Sequence, residues 1–205
     1  MADGEKPPNQ ALAMIRRNAW IAIAVIALVL LVSGIYQRLQ IGPAVQIGAP
    51  FTLTDQMGKR VSDAAFRGKI EVIYFGFTHC PDACPTSLSL IAEALKKLGP
   101  EKAKEVQPIF ITLDPERDTP DVMRDYVDYF IPGMAGLTGT PTEIADVARA
   151  FRVAYQKVKD PNSDQDYTID HASIIYVMDR KGRFLKHYTQ GVTADQLADG
   201  LRAAI

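Results

Sequence analysis

The sequence predicts an α/β domain with a mixed β-sheet flanked by helices, placed after a single transmembrane helix. Three observations support this: an uncharged stretch at 18–37, strand-helix-strand patterns after it, and an apolar hairpin followed by a C-terminal amphipathic helix. Strand-helix-strand units predict parallel strands and a hairpin adds antiparallel ones, so the sheet should be mixed. A chain of 205 residues has room for one such domain plus an anchor.

The first predicted element is the transmembrane helix. Residues 18–37 carry no charge and lie between Arg17 and Arg38. A helix of that length is about 30 Å long, which matches the hydrocarbon core of a bilayer. A cleaved secretory signal is the alternative, although its apolar core is usually only about 7–15 residues long. Under either interpretation the rest of the chain crosses the membrane.

Basic residues near the span predict its orientation. Lys6, Arg16 and Arg17 precede it and only Arg38 follows closely, which leaves the N-terminus in the cytoplasm. An Arg-rich and Ser-rich organelle presequence is absent, so we expect a single-pass protein of the bacterial inner membrane with its C-terminal domain in the periplasm. The predicted parts are a cytoplasmic tail at 1–17, the anchor at 18–37, a linker at 38–45 and the exported domain at 46–205.

The overall charge excludes one broad class of partners. Lysine and arginine number 23 and aspartate and glutamate 24, which gives a formal net charge of -1 at pH 7. Proteins that bind nucleic acids need a basic face to neutralise phosphates. No run of basic residues supplies one, so we expect no nucleic-acid partner.

The first half of the exported domain has clear boundaries between elements. Residues 51–62 alternate apolar and polar side chains, which predicts a short hairpin. Residues 69–77 are rich in β-branched and aromatic side chains and predict a buried strand. Apolar side chains then recur at helical spacing up to a Gly-Pro stop, which predicts a helix at 83–98.

The second half repeats these patterns. A strand at 106–114 precedes a helix at 119–130, for which Thr119 or Asp118 is the predicted N-cap and Pro120 the first residue. The remaining predicted elements are a short apolar segment at 134–139, a helix at 140–151, a strand at 153–158, a loop at 159–170, a hairpin at 171–188 and a helix at 193–205.

Both cysteines, Cys80 and Cys84, stand where a predicted strand leads into a helix. Proline is tolerated only in the first helical turn, so Pro85 places Cys84 in that turn, and we expect it to be partly exposed. Free backbone N–H groups and the helix dipole favour an anion there, which predicts a lowered pKa for the Cys84 thiol. A disulfide closing so short a loop would add little stability, so a structural bridge is disfavoured.

The spacing of the cysteines also suits a metal ion. Three intervening residues let two sulfurs face one point, which favours Cu(I), Cu(II) or Zn(II), although a redox-active dithiol stays open. A further ligand would come from His79, His171 or His187. His79 adjoins Cys80 and should point away, and His187 ends a hairpin strand at the surface. His171 is the strongest candidate, and we expect it immediately before an apolar strand.

Three motifs, in this order, resemble the Sco/SenC family: "CPDACP", "LDPERDTP" and "DHASIIYVMDRKGRF". The likeness covers the chain from about Ala44, plus the anchor, and implies a thioredoxin-like fold. It implies that Cys80, Cys84 and His171 bind one copper ion, as Cu(I) or Cu(II). It also implies delivery of copper to the dinuclear copper site of cytochrome c oxidase subunit II, or reduction of that subunit's cysteines beforehand.

The resemblance adds three accessory candidates. Many family members have a residue that cannot ligate before the first cysteine, so His79 leaves a fourth ligand open. The resemblance also places the "LDPERDTP" loop beside the metal site, which would give Asp114 and Asp118 a functional role. The alternative is that both aspartates only cap the turn and the following helix.

Two functions of different classes follow. The leading hypothesis is a copper metallochaperone, which is not an enzyme because it transfers a bound ion without turnover. The alternative is an enzyme, a thiol-disulfide oxidoreductase that cycles Cys80 and Cys84 through a mixed disulfide. The expected partners are oxidase subunit II, other periplasmic copper chaperones or thioredoxin-like reductants, and the lipid bilayer through one helix.

Overall fold

The structure is a computed structural model that describes residues 8–39, 46–159 and 167–205. Parts of the predicted tail (1–7), linker (40–45) and loop (160–166) lie outside the described residues. The chain divides into two compact units, Met1–Val45 and Gln46–Ile205.

The first unit is built around one helix, α1, at Pro8–Leu39. Its apolar part, Met14–Ile35, contains 22 residues and overlaps the predicted anchor at 18–37. At 1.5 Å per residue this part is about 33 Å long, enough to cross a bilayer. A signal sequence has the same features, so permanent anchoring stays a prediction.

The second unit is organised by a seven-stranded sheet in the order β2-β1-β5-β4-β3-β8-β9. β3 pairs in parallel with β4, and β4 with β5, whereas β8 and β1 join this parallel centre antiparallel. The sheet is therefore mixed, as predicted. Its strands are β1 Thr52–Asp55, β2 Arg60–Ser62, β3 Ile70–Gly76, β4 Val106–Thr112, β5 Ala135–Thr138, β8 Ile175–Met178 and β9 Phe184–Tyr188.

Threonine N-caps mark the start of three helices. Thr119 accepts a hydrogen bond from the backbone N–H of Val122, so it is the N-cap, and Asp118 is not. Thr140 and Thr193 each form a reciprocal capping box with a side chain three residues later. The helices of this unit are α2 Ala83–Leu98, α3 Pro100–Ala103, α4 Pro120–Phe130, α5 Pro141–Ala150 and α6 Ala194–Ala204.

Three segments differ from the sequence prediction. A 3-10 helix at Asp63–Phe66 and the short helix α3 after the Gly-Pro stop were not expected. The predicted loop at 159–170 was wrong at its end, because Thr168–His171 forms strand β7, which pairs antiparallel with β6 at Tyr155–Val158. These two strands form a separate two-stranded sheet, here called the β6–β7 ribbon. Both strands of the ribbon are short. β7 was not predicted because most of its side chains are polar.

The centre of the sheet leads directly into the cysteine motif. β3 is buried along its whole length and carries the chain from the core to the segment before α2. The parallel partner β4 ends in register with it, because Gly76 pairs with Thr112. Binding sites of α/β sheets lie beyond such carboxyl ends, and both cysteines are located there.

Gly76 provides a test of how tightly this region is packed. A Cβ atom at position 76 would lie 2.7 Å from Cys84 Sγ and 3.0 Å from the Phe110 ring. We therefore expect Gly76→Ala to lower the free energy of unfolding by about 2 kcal/mol. Thermal unfolding of the detergent-solubilised chain, followed by circular dichroism, should show a melting temperature roughly 4–8 °C lower.

Gly136→Ala on β5, two strands away in the same sheet, is the matched comparison. Its added methyl group would come within 3.1 Å of a Val127 methyl group, a softer contact at the end of a side chain. The expected loss of stability is smaller. Equal losses in the two variants would contradict the proposed tight packing between Gly76 and Cys84.

Candidate metal centre

Three potential ligand atoms converge beyond the carboxyl end of β3. The Sγ atoms of Cys80 and Cys84 and one ring nitrogen of His171 all lie within 4.8 Å of one another. The cysteines come from the junction between β3 and α2, and the histidine from the end of β7. The fold thus brings together the three residues singled out from the sequence, although 87 positions separate Cys84 from His171.

Helix α2 fixes the position of Cys84. The helix begins at Ala83, so Cys84 lies in its first turn and Pro85 causes no break. Its side chain is 0% exposed, whereas that of Cys80 is 9% exposed. The expectation of a partly exposed Cys84 was wrong, because the side chain packs down onto Gly76 instead of facing outward.

The two thiols differ in acidity, and the lower pKa belongs to Cys80. Its sulfur accepts a hydrogen bond from the Cys84 side chain, which lowers the pKa of Cys80 to about 4 despite partial burial. The backbone N–H of Cys84 also donates to this sulfur at 3.4 Å. The same Cys80 interaction, together with burial, raises the pKa of Cys84. The prediction of a lowered pKa for Cys84 was therefore wrong, since the helix N-terminus stabilises the neighbouring sulfur.

His171 presents one ring nitrogen to the cysteines. Its Nε2 atom lies 3.6 Å from Cys84 Sγ, and its Nδ1 atom lies 3.2 Å from the carbonyl oxygen of Ala172. A carbonyl oxygen can only accept, so Nδ1 carries the hydrogen and Nε2 keeps a free lone pair. His171 ends β7 instead of preceding the next strand directly, because residues 172–174 separate it from β8.

Tyr74 belongs to the site but was not identified from the sequence. Its hydroxyl group lies 3.9 Å from Cys84 Sγ and 3.3 Å from Ser173 Oγ, and the ring is fully buried. The His171 ring stands edge-on to the Tyr74 ring, with centroids 6.3 Å apart. Side chains alternate along a strand, so Tyr74 shares a face of β3 with Gly76. Tyr74 could therefore have been identified from its spacing of two residues from Gly76, against which Cys84 packs.

His79 lies apart from the group formed by Cys80, Cys84 and His171. Its Nδ1 atom is 3.0 Å from Thr78 Oγ1 and 3.8 Å from an oxygen of Asp118. The side chain is exposed. In this arrangement its near contacts are with Thr78 and Asp118, and its role as a fourth ligand stays a prediction.

Asp114 and Asp118 are buried hydrogen-bond acceptors instead of helix caps. Asp118 accepts hydrogen bonds from the backbone N–H and the hydroxyl of Thr78, at 3.1 and 2.6 Å, and from Thr112 Oγ1 at 2.5 Å. Asp114 pairs with Arg117 and accepts from the hydroxyl of Tyr167 at 2.8 Å. The capping interpretation was therefore wrong for both side chains, because each reaches across to a different segment of the fold.

The donor set of this centre fits a soft metal ion. Two sulfurs and one imidazole nitrogen suit Cu(I), Cu(II) or Zn(II). Two ligands on one ion at about 2.3 Å can be at most about 4.6 Å apart, so binding requires the three atoms to draw together slightly. Both cysteines are free thiols, so their sulfurs are available as ligands or as a redox pair.

The fold and this centre define a class: a thioredoxin-like domain with a Cys-Cys-His site at the carboxyl end of its central strand. A sequence model of the SCO1/SenC family matches residues 40–205. The chain therefore belongs to the SCO1/SenC family. The sequence-based recognition of this family and of its thioredoxin-like fold is confirmed.

Solved structures and a curated relative agree with the family assignment. The chain is 43% identical to the SCO2-like protein of Rickettsia prowazekii over 76% of this chain and 75% of that one. It is 43% identical to copper-bound ScoI of Arabidopsis thaliana, with a TM-score of 0.73, covering 77% of this chain and 97% of that one. For copper-bound ScoI of Bradyrhizobium japonicum the identity is 48% and the TM-score 0.70, covering 78% and 99%.

A further structure concerns the cysteines. BsSco, described as having a disulfide switch and as a member of the Sco family of cytochrome c oxidase assembly proteins, is 28% identical with a TM-score of 0.60. The match covers 80% of this chain and 97% of that one.

The acidity of Cys80 predicts a specific pattern of alkylation. With a pKa of about 4, Cys80 is already a thiolate at pH 6, so its reaction rate with iodoacetamide should hardly change between pH 6 and pH 8. An ordinary thiol would react nearly 100-fold faster at pH 8 than at pH 6. Buried Cys84 should react much more slowly, and peptide mass spectrometry of the reduced chain identifies the modified residue.

Cys84→Ala is the control, since it removes the hydrogen bond that lowers the Cys80 pKa. In this variant the alkylation of Cys80 should become strongly pH-dependent. Faster labelling of Cys84 than of Cys80 in the unsubstituted chain would contradict the assigned order of acidity.

Proposed function

We propose that this protein is a copper metallochaperone of cytochrome c oxidase assembly that holds one copper ion between Cys80, Cys84 and His171. The observation that carries the proposal is the convergence of these three ligand atoms within 4.8 Å. Copper-bound structures of relatives at 43% and 48% identity support copper as the ion. The family description of BsSco supports the role in oxidase assembly.

The unequal burial of the ligands suggests how copper enters and leaves. His171 is half-buried, whereas Cys80 is buried at 9% exposure and Cys84 at 0%. A thiolate of a partner would therefore meet the ion from the side of His171 and Cys80, and Cys84 would be the last ligand to leave. Three ligands leave a coordination position open for this exchange, so transfer needs no step in which the ion is free.

The dinuclear copper site of oxidase subunit II is the proposed acceptor. Its cysteines would supply the incoming thiolates, and other periplasmic copper chaperones or thioredoxin-like reductants would load or reduce the site. In this proposal residues 1–17 are a cytoplasmic tail, 18–37 the anchor and 38–45 the linker. The domain at 46–205 lies in the periplasm beside a bacterial inner membrane.

A thiol-disulfide oxidoreductase is the second candidate, favoured by the low pKa of Cys80. The Cys80 thiolate would attack a disulfide of the partner, forming a mixed disulfide and releasing one partner thiolate. Cys84 would then lose its proton to His171 Nε2, 3.6 Å away, and attack Cys80. The products are a Cys80–Cys84 disulfide and a fully reduced partner, so two electrons pass to the partner.

Copper titration of the reduced full-length chain in detergent tests the leading proposal. We expect one copper ion per chain, with sulfur-to-Cu(II) absorption that is lost in Cys80→Ser and Cys84→Ser. His171→Ala should weaken Cu(II) retention by more than the about 10–100-fold typical of losing an outer-sphere partner. His187→Ala on β9, exposed at the surface, is the matched control and should bind as the unsubstituted chain does.

Two outcomes would redirect the proposal. Unchanged affinity and spectrum in His171→Ala would exclude His171 as a ligand. A chain that ignores copper yet rapidly reduces a disulfide in subunit II would favour the oxidoreductase.

A topology measurement tests the membrane arrangement. Alkaline phosphatase fused after Ile205 should be active in cells, because that enzyme folds only outside the cytoplasm, whereas a fusion after Met14 should be inactive. The intact mass of the mature chain then separates an anchor from a cleaved signal. Reversed fusion activities would contradict the proposed orientation.

A further inference from the structure

His171 lies on a ribbon that is not hydrogen-bonded into the main sheet. The β6–β7 ribbon pairs only with itself among the described strands. Ile169 packs into the core, but apolar packing is non-directional and does not by itself fix where the ring of His171 points. The ring of His171 has contacts of its own with Tyr74 and Phe77, and directional contacts elsewhere along the ribbon add to them in setting its position.

Such contacts occur at Tyr167, the residue before β7. Its hydroxyl donates to Asp114 at 2.8 Å, and its carbonyl oxygen accepts from Arg117 Nη1 at 3.1 Å. The guanidinium of Arg117 also lies 3.9 Å from the centre of the Tyr167 ring and pairs with the Asp114 carboxylate. We call Asp114, Arg117 and Tyr167 the Arg117 brace.

The other strand of the ribbon is held by the same loop. Lys157 on β6 pairs with Ile169 of β7 in the ribbon, and its ammonium group forms a 2.7 Å ion pair with Glu116. That ammonium group lies 4.5 Å from the centre of the Tyr167 ring. Both strands of the ribbon are therefore attached to residues 114–117.

This loop also positions the cysteine side of the centre. Asp118 holds Thr78 by its backbone N–H and its hydroxyl, two residues before Cys80. One short loop thus contacts the segment that carries the cysteines and the ribbon that carries the histidine. Residues 114–118 therefore connect the two halves of the centre through side-chain contacts.

We propose that Asp114, Arg117 and Tyr167 are positioning residues that set where His171 stands relative to Cys80 and Cys84. The inference rests on the proposed function in assigning His171 to copper. None of the three residues is a ligand in this proposal. They act through the four-residue strand β7, which leads from Tyr167 to His171.

Tyr167→Phe tests the brace because it removes one hydroxyl and keeps the ring beneath Arg117. We expect faster loss of Cu(II) to a competing chelator, by less than the about 10–100-fold typical of losing a direct hydrogen-bond partner of a metal ligand. In a His171→Ala background the same substitution should have no further effect, since its action passes through His171. Tyr129→Phe, at a residue 81% exposed on α4, is the matched control.

Arg117→Lys provides a second test that keeps the charge. Lysine lacks the planar fork that bonds the Tyr167 carbonyl and stacks on its ring, so chelator loss should again accelerate. A brace variant that accelerates copper loss equally with and without His171 would overturn the proposal, because it would then act on the whole domain. Thermal unfolding of each variant measures that global effect separately.

A measurement without metal keeps the inference independent of copper binding. The chain has three histidines, so ¹³C-labelled histidine gives few ring resonances. The rings of Tyr74 and Phe77 stand edge-on about 6 Å from His171, which makes its resonance sensitive to position. In Tyr167→Phe the His171 resonance should shift or broaden while that of His187 stays fixed.

The two kinds of failure are therefore distinguishable. An unmoved His171 resonance in both Tyr167→Phe and Arg117→Lys would overturn the positioning role. Absence of copper binding by the unsubstituted chain would overturn the proposed function, and the resonance of His171 would still decide whether the brace positions it.

Discussion

The rest of the centre depends on the hydrogen bonds accepted by the buried carboxylate of Asp118. It lies beyond the ends of β3 and β4 and accepts hydrogen bonds from Thr78 after one strand and from Thr112 on the other. Burial raises its pKa, whereas the hydrogen bonds from these threonines oppose that shift. A buried carboxylate requires such partners, so loss of either threonine would leave Asp118 short of a hydrogen bond in a buried position.

The loop around Asp118 contacts both halves of the centre. Asp118 fixes the position of Thr78, two residues before Cys80. Helix α2 begins at Ala83, which places Cys84 in its first turn and buries it against Gly76. On the opposite side Asp114 and Arg117 reach the start of β7. The two cysteines consequently experience different surroundings, and only Cys80, which is 9% exposed, has a lowered pKa.

Local patterns were sufficient to predict most of the fold and the three converging residues. The bounds of α2 followed from Pro85 and a Gly-Pro stop, and the cap of α4 from Thr119, because these signals act within one helical turn. Strand β7 was missed because it is short and polar and pairs only with β6. The acidity of Cys80 and the partners of Asp118 were also missed, since they arise from residues brought together across the sheet.

The separation of 87 positions in sequence between Cys84 and His171 also determines when the centre can form. Bringing together residues so far apart in the chain costs loop-closure entropy before any contact between them forms. Because both cysteines precede His171 in the chain, synthesis from the N-terminus produces both thiols before the imidazole. The complete centre thus requires the chain through His171, and a chain that stops short of this residue holds the two sulfurs without the imidazole that faces them.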